Sequence, residues 1–155
     1  MLLLEEKALN HPILYLSLYF KSHRQVYYEH LQRVRTSGDW EGWLRFFLNG
    51  VIHTADQAVK AARAILDLFE EDRKKLEELG RSAGSAIIVH ELLQRRPILS
   101  ISDATQQLAI TRPTINAVFQ KMQELGVLKE TTGRQRDRLY VYDAYVQLLN
   151  EGTEP

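Results

Sequence analysis

The sequence contains no cysteine, which excludes a disulfide framework, a thiolate zinc site and a cysteine nucleophile. Glycine and proline are also few, with 8 and 4 among 155 residues, so the composition is not that of a collagen-like or low-complexity chain. Neither charge is in excess, because 20 Lys and Arg residues balance 20 Asp and Glu residues. Any affinity for nucleic acid or for an anionic membrane must therefore come from local segregation of charge.

Long apolar runs are missing as well. The three leucines at positions 2–4 are followed at once by Glu5, Glu6 and Lys7, which is far short of the apolar core of a signal peptide. No stretch reaches the roughly 18 apolar residues that are needed to span a bilayer. We therefore expect a cytoplasmic protein without a membrane partner.

Helical periodicity dominates the sequence up to about residue 80. A helix that begins at Pro12 is apolar nearly all round, so we expect it to be buried. A second helix is predicted from about Arg24 to Val34, and Asp39 then has the character of an N-cap for a run of roughly forty residues. In that run, positions at alternating steps of four and three predict a packed stripe of heptad type: Ala55, Val59, Ala62, Leu66, Phe69, Arg73 and Leu76.

Aromatic residues are concentrated in this first half. Their helical spacing favours packing in a core over a stacking platform for a ligand. The residues concerned are Tyr15, Tyr19, Phe20, Tyr27, Tyr28, Trp40, Trp43, Phe46 and Phe47.

The segment GRSAGS at 80–85 marks a boundary between predicted domains at 1–80 and 81–155. Three short helices are expected beyond it: residues 86–95, a segment capped by Ser102, and one capped by Thr111 and closed by Gly126. VLKET and LYVY, around a glycine-containing turn, then predict a β-hairpin. This is the order of a winged helix-turn-helix, so the predicted fold is mainly α with one small hairpin.

The third helix of this module and the hairpin after it give the strongest functional signal. Asn and Gln can pair with adenine edges in the major groove and Arg can pair with guanine, while the arginines of the hairpin, or wing, can hold phosphate. Between residues 104 and 138, six basic residues stand against three acidic ones. The candidate DNA-binding residues are Arg112, Thr114, Asn116, Gln120, Lys121, Arg134, Arg136 and Arg138.

Two alternatives remain open at this point. A winged helix also serves as a docking or dimerisation module without any role in nucleic-acid binding. The wing residues Arg136 and Arg138 could equally pair with acidic neighbours such as Glu130 across the hairpin.

Signatures of catalysis are missing from the sequence. The five histidines are scattered, and HELLQ at 90–94 lacks the second histidine of a zinc-protease motif. Neither type of glycine-rich phosphate loop is present. We therefore expect no catalytic residue, no metal and no cofactor.

Both halves of the chain resemble Fic (filamentation induced by cAMP) proteins. The second half looks like the winged-helix domain that follows many bacterial Fic domains, and the first resembles the helices that follow the Fic catalytic motif. The segments that carry the resemblance are LYLS at 14–17, YY at 27–28, GDWE at 38–41, WLRFFL at 43–48, LGVL at 125–128, TGR at 132–134 and RLYVYDAY at 138–145.

The resemblance implies a C-terminal portion of a Fic-type protein. Fic proteins transfer AMP from ATP to a hydroxyl of a target protein through a motif of the form HPFxDGNGR, and no residue of this sequence matches that motif. A DNA-binding regulatory protein is the leading expectation, and a docking or dimerisation half of an AMP-transferase (adenylyltransferase) is the alternative. A Fic core without its N-terminal helices would expose apolar faces, so we expect a homo-oligomer or a complex with a separate N-terminal Fic half.

Overall fold

The computed structural model describes residues 16–134 and 137–151. The described chain is mainly α-helical with one small antiparallel sheet, as the sequence predicts. In chain order its elements are α1 (Leu16–Ser22), α2 (Arg24–Ser37), α3 (Trp40–Glu77), a 3₁₀ turn (Gly80–Ser82), α4 (Ala83–Arg95), β1 (Ile98–Ser100), α5 (Ile101–Gln107), α6 (Arg112–Glu124), β2 (Lys129–Glu130), β3 (Leu139–Val141) and α7 (Asp143–Asn150).

The chain divides into two compact units. The first contains the described residues up to Ala62, together with Glu151, and the second is Arg63–Asn150. Helix α3 contributes residues to both units. Because the second unit begins at Arg63, it includes both the last turns of α3 and the glycine-containing segment at 80–85.

Aromatic side chains hold the helices of the first unit together. The Phe20 ring of α1 lies with its centroid 5.8 Å from that of Phe46 in α3, and the Tyr27 ring of α2 lies 5.3 Å from Trp43. The prediction of aromatic packing is wrong for Tyr28 and Trp40, whose side chains are exposed. Tyr15 lies outside the described residues.

Helix α1 is less buried than its apolar sequence suggests. None of the residues Leu16–Ser22 is fully buried, so the prediction of a buried helix is wrong for this part. Among the described residues, α1 packs on α3 through the Tyr19 and Phe20 rings, and its apolar side chains are only half-buried. Residues 12–15 of the predicted helix lie outside the described residues.

The N-terminal cap of α3 is confirmed. The Asp39 carboxylate accepts a hydrogen bond of 2.9 Å from the backbone N–H of Gly42, which satisfies one of the unpaired donors of the first turn. The packed stripe predicted along α3 is only partly correct. Leu76 is fully buried and Phe69 packs against the core, whereas Val59 is 50% exposed and Leu66 is 66% exposed.

The second unit contains a continuous hydrophobic core. Its members come from the end of α3, from α4, α5 and α6, and from the strands. They are Leu76, Ala86, Val89, Leu93, Leu99, Ala104, Ile115, Val118, Phe119, Met122, Val127, Leu128, Tyr140 and Tyr142.

The sheet has the order β1-β3-β2, and both pairings are antiparallel. The predicted hairpin is confirmed, with Glu130 opposite Tyr140. Val127 and Leu128 precede the first hairpin strand and are buried in the core instead of pairing. Strand β1 is not predicted by the sequence pattern, because three residues directly after Pro97 are too short a run to show alternation.

Two helix ends near the sheet differ in how well they were predicted. Helix α5 is capped by Ser100, not by Ser102: Ser100 Oγ accepts from the Asp103 backbone N–H at 3.0 Å, and Asp103 accepts from the Ser100 backbone N–H at 2.9 Å. The Ser100 hydroxyl, which donates to Asp103 Oδ2 at 2.7 Å, and then the Ser100 backbone N–H lower the pKa of the Asp103 carboxyl. The chain after α6 turns at Gly126 with φ of 74°, the left-handed conformation that the sequence predicts there.

A chain of buried hydrogen bonds crosses the core of the second unit. The Tyr142 hydroxyl donates to Asp72 Oδ2 at 2.7 Å, and His90 Nε2 lies 3.3 Å from the same hydroxyl. Since that hydroxyl gives its proton to Asp72, His90 Nε2 donates to it, and Nδ1 accepts from Gln94 Nε2 at 3.3 Å. Burial lowers the pKa of His90 and raises that of Tyr142, so both side chains stay neutral.

Among the described residues, no helix combines the length and the apolar character that crossing a membrane requires.

Candidate nucleic-acid interface

Helix α6 is held against the core along one side. Its apolar residues Ile115, Val118, Phe119 and Met122 repeat at steps of three and four and are all buried. The Phe119 ring meets the Tyr140 ring of β3 edge to face, with centroids 4.9 Å apart. This packing fixes which side of α6 turns toward solvent.

Three of the candidate residues share one exposed side of α6. Arg112, Asn116 and Gln120 follow one another at steps of four, so they form a row along the helix. The row lines an open cleft of about 660 Å³ between α6, the start of α5 and the segment that enters β3. The other residues of the cleft are Ser100, Ile101, Ser102, Gln123, Asp137, Arg138 and Tyr140.

The second wall of the cleft is formed by the residues just before β3. Arg138 lies there, and its Nε donates a hydrogen bond of 2.7 Å to the carbonyl oxygen of Arg134. Asp137 beside it has φ of 52°, a left-handed conformation that is uncommon for residues other than glycine. Arg134 is exposed on the wing, and Arg136 lies outside the described residues.

Glu130 organises the wing turn. Its carboxylate accepts hydrogen bonds from the Thr132 hydroxyl and from the backbone N–H groups of Thr132 at 2.8 Å and Gly133 at 3.0 Å. These bonds, that from the Thr132 hydroxyl first, lower the pKa of Glu130 and keep it ionised. The Glu130 carboxylate therefore stabilises the backbone of the wing turn, and Arg138 acts on it only as a more distant positive charge.

Thr114 and Lys121 lie apart from this cleft. At about 100° per residue, Lys121 is turned about 140° around the helix from Asn116. Its Nζ donates a hydrogen bond of 2.7 Å to Ser82 Oγ in the 3₁₀ turn. The Thr114 hydroxyl is paired with that of Thr111 at 2.9 Å, next to the N-terminus of α6.

The structure adds residues that the sequence analysis missed. Gln123 lies three residues after Gln120 and seven after Asn116, so its helical spacing could have revealed it. Ser100 and Ser102 come from the start of α5. No spacing along the chain connects them with α6, because only the packing of α5 against α6 brings them to the cleft.

The chemistry of the cleft is that of a polar recognition surface. One guanidinium lies on each wall, that of Arg112 on α6 and that of Arg138 before β3. The α6 wall also carries amide groups. The Gln120 amide nitrogen donates to Glu124 at 3.1 Å, which holds that side chain along the helix. Within the described residues, no three His, Asp or Glu side chains come together as ligands for a metal ion.

This combination can offer several donors and acceptors to an anionic partner, from guanidinium groups on both walls and from amides on α6. The wing adds the exposed Arg134 beyond the cleft. No protein-family model matches the sequence.

Proposed function

We propose that residues 81–155 form a winged helix-turn-helix domain that binds double-stranded DNA. We further propose that the chain is the C-terminal portion of a bacterial Fic-type protein, lacks AMP-transferase activity and acts in transcription regulation. In this proposal α6 is the recognition helix and the β2–β3 hairpin is the wing.

The order and packing of elements support the winged helix. Three helices, α4, α5 and α6, pack around one core and are followed by an antiparallel hairpin, while β1 adds a third strand at its edge. Only residues 108–111 separate α5 from α6, which is the short turn that a helix-turn-helix requires.

The row of Arg112, Asn116 and Gln120 in one cleft with Arg138 is the observation that carries the DNA proposal. A recognition helix places its N-terminal half in the major groove, where a guanidinium matches guanine and an amide matches adenine. Arg138 and Arg134 at the wing would contact the phosphate backbone and fix the orientation of the helix. Thr114 would contact phosphate beside the helix N-terminus, and Lys121 would do so after releasing Ser82.

The sequence segments that resemble Fic proteins support the origin that we propose. Because the HPFxDGNGR motif is missing, the chain has neither the general base nor the phosphate-binding loop that AMP transfer requires. A regulatory role through DNA is then the function that the remaining residues support best.

A second candidate function is protein docking by the same module. Ile98 of β1 and Leu139 of β3 have exposed apolar side chains, which are features of a docking surface more than of a DNA-binding surface. In that case the chain would be the target-docking half of an AMP-transferase.

Alanine variants on the two walls of the cleft test the DNA proposal. Binding to a labelled duplex of mixed sequence is measured by fluorescence anisotropy in about 50 mM salt for the wild type and for Arg112→Ala/Arg138→Ala. We expect the double variant to lose about 10-fold or more in affinity, since each lost contact costs about 1 kcal/mol or more.

Arg33→Ala/Arg35→Ala is the matched control, because both residues are exposed arginines on α2. It removes the same two charges and should leave binding within about 2-fold of wild type, apart from a small non-specific effect. Equal losses in the two variants would mean that binding is non-specific. Unchanged binding in the double variant would overturn the assignment of the cleft.

A further inference from the structure

The part of α3 that belongs to the first unit has two opposite apolar faces. One face packs on the aromatic rings of α1 and α2 so closely that a Cβ added at Gly50 would lie 2.7 Å from the Tyr19 ring. The other face carries Leu44, Leu48, Ile52 and Val59, which are 53%, 55%, 60% and 50% exposed. These four residues, here called the α3 stripe, are exposed to solvent on a helix whose other side is covered.

The α3 stripe is continuous along the helix. Leu44, Leu48 and Ile52 follow at steps of four, and steps of three and four lead through Ala55 to Val59, so they stay within an arc of about 80°. Large side chains at such spacing are typical of helices that pair with another helix. An exposed row of this kind in a soluble chain marks a site of interaction.

Charged residues near the stripe indicate what covers it. They alternate in sign along α3: Glu41 and Arg45 come near its beginning, and Asp56 and Lys60 near its end. If a second copy runs antiparallel, Glu41 lies opposite Lys60 of the second copy and Arg45 lies opposite Asp56 of the second copy. The midpoint of both pairs falls between residues 50 and 51.

The apolar residues fall close to this register. With the centre between 50 and 51, Leu48 lies within about 2 Å along the axis of Ile52 of the second copy, and Leu44 within about 3 Å of Val59 of the second copy. A parallel arrangement would instead bring each charged residue beside its own copy, which is repulsive. We propose that the α3 stripe is the interface of an antiparallel homodimer of this chain.

This dimer should be weak. The paired segment, residues 41–60, is about 29 Å long at 1.5 Å per residue. A single helix pair of that length buries less area than the roughly 800 Å² per partner of a standard interface, so we expect a dissociation constant in the micromolar range. The inference concerns residues of the first unit and does not rest on DNA binding.

Sedimentation equilibrium over about 1–500 μM tests the interface. The wild type should change from monomer to dimer within this range, and Ile52→Lys should raise the dissociation constant at least about 10-fold by placing a charge at the centre of the interface. The matched control is Gln57→Lys, which adds the same side chain at an exposed position about 140° around the helix from Ile52 and should dimerise as the wild type does.

Because Ile52 is exposed in the single chain, Ile52→Lys should keep the circular dichroism spectrum and melting temperature of the dilute wild type. A wild type that stays monomeric at about 500 μM would overturn the proposal. Dimerisation that Ile52→Lys leaves unchanged would overturn it as well.

Engineered cysteines test the orientation, since the natural chain contains none that could interfere. A mixture of Leu44→Cys and Val59→Cys chains should form a heterodimeric disulfide under mild oxidation. Leu44→Cys alone should cross-link poorly, because in the antiparallel dimer its two copies lie about 20 Å apart. Efficient cross-linking of Leu44→Cys with itself, without a heterodimeric disulfide in the mixture, would contradict the antiparallel arrangement.

Discussion

The two units of this chain bury their apolar residues to very different extents. In Arg63–Asn150, fourteen hydrophobic residues form one buried cluster around a small sheet. Among the described residues of the first unit, Phe46 is the buried hydrophobic, while Leu44, Leu48 and Ile52 are exposed. Similar apolar content therefore gives a closed core only where elements cover one another from several sides.

Geometry explains the difference. In the second unit, short helices and three strands meet at the same centre, so α6 is covered by α4, by α5 and by the sheet residue Tyr140. In the first unit, α1 and α2 cover α3 from one side. The uncovered side of α3 is the surface that a second copy would bury under our proposal.

The largest effect should come from opening a cavity in the closed core. Leu93→Ala removes a fully buried side chain and should lower the free energy of unfolding by about 2–5 kcal/mol. Leu48→Ala makes the same change at an exposed position and, in a dilute monomer, should cost less than about 1 kcal/mol. Urea denaturation measures both, and equal costs would show that the two units do not differ in the way described.

Removing one hydroxyl should have a smaller effect. Tyr142→Phe leaves the buried Asp72 carboxylate without the hydrogen bond of 2.7 Å that it accepts, although Lys75 still donates to its other oxygen at 2.6 Å. We expect a loss of about 1–3 kcal/mol in urea denaturation. Tyr28→Phe, which removes an exposed hydroxyl in the first unit, is the control and should cost almost nothing. Similar losses for both variants would count against the buried network.

A pH effect is also expected from His90 in the second unit. Burial lowers the pKa of His90 below its usual 6.5, so between about pH 7 and pH 5 the unfolded chain takes up a proton that the folded chain does not. The stability contributed by neutral His90 is therefore complete above pH 6.5 and falls as the pH is lowered.

The slope of unfolding free energy against pH tests this expectation. His90→Gln should flatten the slope between pH 7 and pH 5, whatever its effect on stability at neutral pH. A slope that His90→Gln does not alter would mean that His90 is not the group responsible.

The sequence predicted secondary-structure elements and their ends better than the burial of individual side chains. The Asp39 cap, the hairpin and the turn at Gly126 follow from local chemistry, so local patterns predict them correctly. Whether a side chain is buried depends on which other element packs against it. The heptad pattern alone therefore does not predict that Val59 and Leu66 are exposed whereas Leu76 is buried.

The same limit applies to the candidate site. Spacing of four along α6 could group Arg112, Asn116 and Gln120 as one row. It could not predict that Lys121 lies apart from the cleft, because Lys121 binds Ser82, which is distant in the sequence. Ser100 joins the cleft only through the packing of α5 on α6. Residues that form a row on one helix can thus be predicted from their spacing. Residues that join the cleft from other elements can be identified only from the three-dimensional structure.

The salt dependence of DNA binding tests the proposed function most directly. Contacts of about three to five basic side chains with phosphate should lower the affinity for duplex DNA roughly 20- to 150-fold between about 50 and 150 mM salt. A linear fall of the logarithm of the binding constant with the logarithm of salt concentration is the predicted result. Absence of binding in about 50 mM salt, or binding that is insensitive to salt, would contradict the account and favour protein docking.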